Sequence, residues 1–227
     1  MSLNISNRSI TTVRLIDDEP DIRAGYKHAV DDMSLLPIES TEFIASLEQF
    51  ASQFDRNHDA AICDYHLKGK GKYSAFDGDE LISHLYGISI PAVLCTRFEN
   101  SDSVRHRRRN IPVVISPRDL NEHVLFNAFA LAIDEFNGNF VAERRSWRAL
   151  IRVEGFEKVG KQLKLSLCVP GWNSAESMFL TIADNTDDVV NYIKNECGAG
   201  GTARVFGQVN LGTELKDNLY IDKLSRK

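Results

Sequence analysis

Three aspartates stand where two apolar, strand-like segments end. Residues 11–16 run directly into Asp17 and Asp18, and residues 60–63 run into Asp64. Side chains at the carboxyl ends of parallel strands meet in one crevice of an α/β sheet. Crowded carboxylates repel one another unless a cation lies among them, and Mg²⁺ is typically held by one or two carboxylates with waters and phosphate oxygens. The three aspartates therefore predict a Mg²⁺ site.

Two hydroxyl side chains follow or end further strand-like segments of the same kind. Thr96 ends the segment 90–96, and Ser116 ends the segment 111–116. A metal ion beside the aspartates would screen an incoming phosphoryl group and leave one carboxylate free to attack it. Asp64 is the candidate nucleophile, and Thr96 is a candidate hydrogen-bond donor to a phosphoryl oxygen.

Alternating strand and helix patterns supply the sheet that such a site needs. The predicted strands cover residues 11–16, 36–40, 60–63, 90–96 and 111–116. The predicted helices cover residues 21–33, 41–54, 79–87 and 120–136, with a polar loop at 65–78 and a basic helix or loop at 99–110. Short, uniformly apolar strands that alternate with helices predict an α/β domain with a parallel sheet covered on both faces.

The pattern changes near Ala149. Predicted strands at 149–156, 161–169 and 177–183 precede a helix at 186–196, and strands at 202–210 and 218–224 follow it. This β-β-β-α-β-β order resembles the OB-fold, a small, partly open barrel of five strands. We expect one domain at 1–140, a linker or helix extension at 141–148, and a small β-rich domain at 149–227.

The first part carries a family resemblance in five ordered motifs: "VRLIDDEP", "AAICDYHL", "FDGDELI", "AVLCT" and "VVISP". They resemble the receiver domain of two-component response regulators over roughly residues 11–136. The resemblance implies a doubly wound, flavodoxin-like sheet with strand order 2-1-3-4-5. It also implies a signalling protein with no independent catalytic output, which a partner histidine kinase or phosphotransfer protein phosphorylates.

The resemblance assigns roles to individual residues. Asp18 resembles the direct Mg²⁺ ligand and Asp17 its water-mediated partner, while the backbone carbonyl of His66 would be a further ligand. Asp64 matches the aspartate that accepts the phosphoryl group. Thr96 matches the hydroxyl that turns toward that group.

The sequence departs from the family pattern close to the site. Ser116 stands where the family has a lysine, so a neutral hydrogen bond would replace a charge-assisted one. Arg97 stands where the family has a small residue, where it would either crowd the pocket or supply the missing positive charge; Arg118 is a second candidate for that charge. Val113 replaces an aromatic residue, the loop after the acceptor is longer, and the family pattern implies a cis bond before Pro117. A phosphorylation-independent adaptor is therefore an open alternative.

Composition limits the other classes of function. The chain has 227 residues and a formal net charge of -5, which disfavours a general binder of nucleic acid or anionic membranes. No apolar run approaches the roughly 20 residues that span a bilayer, and the N-terminus has no signal-like apolar segment. The four cysteines form no CxxC pair. We expect free thiols, a cytoplasmic protein and no membrane partner.

The second domain gives weaker signals about its partner. From Ala149 onward the chain has ten basic and ten acidic residues. Most of its aromatic residues are expected in the core, with Trp172 as the candidate for an exposed contact. Protein binding or a structural role is favoured, and a nucleic-acid ligand and a homodimer stay open. The basic run 105–110 is expected to form a solvated face.

Overall fold

The computed structural model describes residues 2–69, 73–97 and 101–226, and the chain divides into two compact units, residues 1–139 and 140–227. Residues 70–72 of the predicted loop and 99–100 of the predicted basic segment lie outside the described residues. Each unit has its own hydrophobic core. The two units are therefore described separately.

The first unit begins with a short antiparallel hairpin of β1 (Leu3–Ile5) and β2 (Arg8–Ile10). Ile5 and Ile10 are buried in the same cluster as the central strands, so the hairpin belongs to the core of this unit. Strands of three residues are too short to show a period, and the sequence pattern did not predict them.

Five parallel strands form the central sheet of the first unit. They are β3 (Thr12–Ile16), β4 (Leu36–Glu39), β5 (Asp59–Cys63), β6 (Ala92–Cys95) and β7 (Val114–Ile115). The spatial order is β4-β3-β5-β6-β7. Counted along these five strands alone, this is the predicted 2-1-3-4-5 order of a doubly wound sheet. The predicted α/β fold class is confirmed.

Among the described residues of this unit, five helices cover the two faces of the sheet. They are α1 (Pro20–Asp32), α2 (Leu47–Ala51), α3 (Gly78–Gly87), α4 (Asp102–His106) and α5 (Glu122–Phe136). Residues of α1 and α5 share one hydrophobic cluster with Leu15 and Ile62, whereas residues of α2, α3 and α4 share the other with Ala61 and Cys63. Both faces of β5 are therefore buried, which explains why the residues that follow Asp59 in this strand, 60–63, are all apolar.

The second predicted helix is much shorter than residues 41–54. The chain is extended before α2, and Ile44 exchanges backbone hydrogen bonds with Tyr73 and Ala75 at 2.9 and 3.0 Å. The hydroxyl of Ser46 then caps α2 by accepting from the N–H of Gln49. Pairing with a distant loop thus replaces the first turns of the expected helix, a tertiary contact that local periodicity does not encode.

The basic run 105–110 does not form the expected solvated face. Arg107 donates to the buried carboxylate of Asp79 at 2.7 Å. Arg109 donates to the hydroxyl of Tyr86 at 2.8 Å and lies 3.7 Å from the buried carboxylate of Glu135. These arginines tie α4 and the turn after it to α3 and α5.

As far as the structure describes it, the second unit is a five-stranded antiparallel sheet with one α-helix and a short 3-10 helix, Lys216–Asn218. Its elements are β8 (Trp147–Val159), β9 (Gln162–Val169), β10 (Asn173–Ala183), α6 (Asp188–Gly198), β11 (Ala203–Val209) and β12 (Ile221–Ser225). The spatial order is β10-β9-β8-β11-β12, so β10 and β12 are the edges. The β-β-β-α-β-β order is confirmed, and this sheet is compatible with a barrel-like domain. The OB assignment stays a prediction.

The segment between the two predicted domains belongs to the second unit. Helix α5 ends at Phe136, a turn follows at 142–144, and β8 begins at Trp147, so no helix extends into 141–148. The Tyr220 hydroxyl donates to the carbonyl of Arg144 at 2.6 Å, and the Asn210 amide donates to that of Glu143 at 2.8 Å. These bonds fix the segment against the residue that follows β11 and the residue that precedes β12.

All four cysteines carry free thiols, and Cys63 and Cys95 are fully buried core residues, as expected. In the part of the chain that the structure describes, no helix has the length and apolar character needed to cross a membrane.

Candidate functional site

The predicted aspartates meet in one cavity of about 520 Å³ at the carboxyl ends of β3 and β5. Asp17, Asp18, Asp64, His66 and Arg97 all line it. The parallel pairing of Ile16 with Cys63 places the residues that follow these two strands side by side. The register of the sheet therefore creates the acidic cluster.

Asp17 is held by two hydrogen bonds inside the protein. Its Oδ1 accepts from the backbone N–H of Glu19 at 2.8 Å, and its Oδ2 accepts from the hydroxyl of Tyr26 at 3.0 Å. The side chain is only 2 % exposed, and this burial raises the pKa of Asp17 to about 6, with the charge of Asp64 adding to the rise. Burial also raises the pKa of Tyr26, so its hydroxyl stays a donor. The role of Tyr26 was not predicted from the sequence.

Asp64 is half-buried and has one anchored oxygen. Its Oδ2 accepts from the backbone N–H of His66 at 3.0 Å. Burial raises the pKa of Asp64, and the charge of Asp18 adds to this rise while the backbone bonds of Tyr65 and His66 oppose it. A raised carboxyl pKa in a cleft is typical of functional sites. Neighbouring carboxylates also raise one another's pKa where no cation balances their charge.

Two glycines let the backbone approach the site. A Cβ atom on Gly69 would lie 2.8 Å from Oδ2 of Asp18, so the loop after β5 passes directly against that carboxylate. A Cβ atom on Gly78 would lie 1.8 Å from the carbonyl oxygen of Asp64. Only glycine fits the first position of α3 at this distance. Glycines in the polar loop and in "FDGDELI" were the sequence signal for both contacts.

The hydroxyl residues occupy different places. Thr96 is 1 % exposed, and its backbone N–H donates to the carbonyl of Ile115 at 2.9 Å. Ser116 is half-buried and lines a second cavity of about 540 Å³ with Arg97, Arg118 and Asp119. Of the described residues around the aspartate cavity, neither Thr96 nor Ser116 forms part of the lining.

Arg97 lines both cavities, so it adjoins the carboxylates and also the serine that replaces the family lysine. Its guanidinium and that of Arg118 are the two cationic groups of the second cavity. The peptide bond between Ser116 and Pro117 is trans, and the expected cis bond is therefore wrong.

The donor set suits a hydrated hard cation better than a closed metal cage. Among the described residues, no group of three or more His, Cys, Asp or Glu side chains is arranged to hold a metal ion. Both oxygens of Asp17 are already hydrogen-bonded within the protein. Mg²⁺ needs only one or two carboxylates and keeps several waters, so Asp18, Asp64 and the His66 carbonyl are a fitting set of oxygen donors.

No family model matches this sequence, and no curated protein sequence is similar to it. Two receiver structures are similar to part of the chain. A response regulator receiver domain protein from Clostridium thermocellum has a TM-score of 0.42 and 12% identity, covering 56% of this chain and 98% of that chain. The signal receiver domain of an HD domain-containing protein from Pseudomonas fluorescens Pf-5 has a TM-score of 0.43 and 14% identity, covering 60% and 94%.

A third similar structure is the sugar isomerase domain of an RpiR transcription factor from Sphaerobacter thermophilus. Its TM-score is 0.34 and its identity 12%, covering 58% of this chain and 72% of that chain. The fold assignment rests on the strand order described above and not on these similarities. That order, together with the aspartates at the ends of β3 and β5, defines a receiver-like unit.

Proposed function

We propose that this chain is a response regulator whose first unit accepts a phosphoryl group on Asp64 from a partner histidine kinase, with Mg²⁺ bound beside it. The observation that carries the proposal is the convergence of Asp17, Asp18 and Asp64 in one cavity at the carboxyl ends of β3 and β5. The protein then passes its phosphorylation state on through protein contacts. This is a signalling role and not that of an independent enzyme.

The proposed metal ligands are Asp18, Asp64 and the main-chain carbonyl of His66, with Asp17 acting through a bound water. When bound, the cation neutralises part of the negative charge of the phosphoryl group. A carboxylate oxygen of Asp64 attacks phosphorus and forms an acyl phosphate, while the bond from phosphorus to the kinase histidine nitrogen breaks. That nitrogen keeps the electron pair and takes up a proton. Asp64 must be ionised to attack, so its raised pKa moves the onset of transfer to higher pH.

Arg97 is the proposed counter-charge for the phosphoryl group. Ser116 offers only a neutral hydroxyl, whereas Arg97 adjoins both the carboxylates and the second cavity. A guanidinium donates charge-assisted hydrogen bonds, which are roughly twice as strong as neutral ones. We therefore expect Arg97→Ala to weaken binding of a phosphoryl mimic, whereas Arg97→Lys preserves more of it.

The direct test is phosphorylation of the full chain by acetyl phosphate with Mg²⁺, measured by mass spectrometry of the intact protein. The expected result is one added phosphoryl group that disappears in Asp64→Asn. Asp55→Asn is the matched control, because Asp55 is an exposed carboxylate that pairs with His58 away from the cavity. An unmodified wild-type protein, or an adduct that persists in Asp64→Asn, would refute the assignment of Asp64.

The rival function is a phosphorylation-independent adaptor that uses the receiver fold only for protein contacts. The neutral Ser116 and the two hydrogen bonds that occupy Asp17 favour it. Beryllofluoride with Mg²⁺ separates the two functions, since it binds as a phosphoryl mimic without covalent chemistry. NMR shifts at residues around the cavity support the acceptor role, and an unchanged spectrum supports the adaptor.

A further inference from the structure

The sheet of the second unit has one covered face and one solvent-facing face. Helix α6 packs on the covered face through Val190 and Ile193, together with alternate residues of the strands. The other residues of β8 and β11 project to the opposite face, and five of them form a patch that we call the arginine patch. It consists of Arg148, Leu150, Arg152, Arg204 and Phe206.

Like charges oppose each other within the arginine patch. Arg152 on β8 and Arg204 on β11 are direct cross-strand partners, an arrangement that destabilises an isolated sheet. Arg152 is compensated by Glu154 at 2.8 Å. Arg148 and Arg204 form no ion pair with any residue that the structure describes. The patch therefore carries exposed positive charge that an anionic ligand would neutralise.

Aromatic rings lie beneath the cations of this face. The guanidinium of Arg148 lies 3.8 Å from the ring centroid of Phe206. The same arrangement recurs two strands away, where the amine of Lys164 lies 4.6 Å from the ring centroid of Phe179. Phe179 is 66% exposed, which corrects its expected place in the core. Trp172 is instead partly buried, with its indole N–H donating to the carbonyl of Thr213 at 2.6 Å.

We propose that this face of the second unit binds single-stranded nucleic acid. The arginines would contact backbone phosphates, while Phe206 with its stacked guanidinium and Phe179 would stack on unpaired bases. Leu150, 37% exposed, is the one aliphatic residue of the patch, and the exposed positive charge around it favours an anionic ligand. The equal numbers of basic and acidic residues in the whole domain are compatible with nucleic-acid binding, because binding depends on the charge of the local patch.

The first test is fluorescence anisotropy of the full chain with labelled oligo-dT and oligo-U, alongside a matched duplex and polyglutamate. Each phosphate contact contributes about −0.7 to the salt slope for single strands. The two uncompensated arginines, Arg148 and Arg204, therefore predict a slope of about −1.4, a loss of about sevenfold in affinity between about 50 and 200 mM salt. We expect both single strands to bind more tightly than the duplex or polyglutamate. The two single strands distinguish DNA from RNA as the source.

Variants assign the binding to the patch. The double change Arg148→Ala and Arg204→Ala should bring the slope close to zero. Phe206→Leu should weaken binding by at least about fivefold with the slope unchanged, since it removes stacking and no charge. Arg226→Ala is the matched control, because Arg226 pairs with Asp188 of α6 at 3.7 Å. Urea unfolding midpoints equal to wild type show that each variant is folded.

Three results would overturn the proposal. One is the absence of binding to either single strand at about 50 mM salt, where electrostatic attraction is strong. Another is binding of polyglutamate as tight as that of the oligonucleotides, which would identify a surface for acidic proteins. The third is an equal loss of affinity in Arg226→Ala and in the double arginine variant.

Discussion

Replacing Asp17 by asparagine should stabilise the metal-free protein. Burial raises the pKa of Asp17 from 3.8 to about 6, so the folded protein binds this proton more tightly than the unfolded chain does. A raised carboxyl pKa means that the free energy of unfolding falls as pH rises from about 4 to about 6, and stays reduced above that. Asp17→Asn removes this penalty and keeps an oxygen that accepts from the N–H of Glu19.

The magnitude follows from the same two pKa values. The difference between 3.8 and about 6 corresponds to about 3 kcal/mol at pH 7, at 1.36 kcal/mol per pKa unit. At pH 4.5 most of the folded protein has a protonated Asp17, and the same linkage gives only about 1 kcal/mol. We therefore expect Asp17→Asn to gain about 2–3 kcal/mol at pH 7 and about 1 kcal/mol at pH 4.5.

Urea unfolding followed by circular dichroism at both pH values, with a chelator present, measures this gain. Glu42→Gln is the control, because Glu42 is an exposed carboxyl whose neutralisation should change stability by less than about 0.5 kcal/mol. Added Mg²⁺ should stabilise the wild type by mass action and have less effect on Asp17→Asn. A gain that is absent at pH 7, or larger at pH 4.5 than at pH 7, would refute the reasoning.

Three further changes test the surroundings of the site and the second unit. Gly78→Ala should lower the free energy of unfolding by about 3 kcal/mol or more in urea titrations, because its Cβ would overlap the carbonyl of Asp64 at 1.8 Å. Tyr26→Phe should raise the pKa of Asp17, measured by NMR titration of its carboxyl carbon. In the wild type the Tyr26 hydroxyl donates to this carboxylate and stabilises its ionised form, and the variant loses that bond. Asn210→Ala should destabilise the second unit by about 2–4 kcal/mol in the same urea titrations, because a fully buried side chain with three hydrogen bonds is lost.

Each of these predictions has an outcome that contradicts it. Gly25→Ala is the control for Gly78→Ala, since nothing lies within 4 Å of its Cβ position and it sits inside α1. It should gain about 0.5–1 kcal/mol, and equal losses at both glycines would contradict the packing argument. A pKa of Asp17 that falls in Tyr26→Phe would show that the hydroxyl opposes ionisation. An unchanged unfolding curve for Asn210→Ala would show that its bonds contribute nothing.

The parallel sheet and the acidic cluster could be predicted because they depend on local signals. Apolar runs marked the strands, and the carboxyl ends of those strands fixed where Asp17, Asp18 and Asp64 would meet. The partners of the basic run could not be predicted in this way. Arg107 and Arg109 bind acids from α3 and α5 that are distant in sequence, and a charge pattern alone is typical of a solvated surface.

The outer face of the second sheet shows a different limit. Alternation along β10 and β11 assigns Phe179 and Phe206 to one face of their strands. It does not say which face α6 covers, and the same period fits a buried ring or an exposed one. Which face α6 covers depends on the tertiary packing. That packing determines whether Phe179 and Phe206 lie in the core or on the surface.

The close approach of Gly78 to the Asp64 carbonyl connects α4 to Asp64 through the start of α3. The next residue, Asp79, holds both Ser103 and Arg107 of the α4 region, at 2.5 and 2.7 Å. A shift of the backbone at Asp64 would therefore displace the first turn of α3. Asp79, which is hydrogen-bonded to Ser103 and Arg107, lies in that turn. A fluorescent probe on α4 should therefore report a backbone change at Asp64.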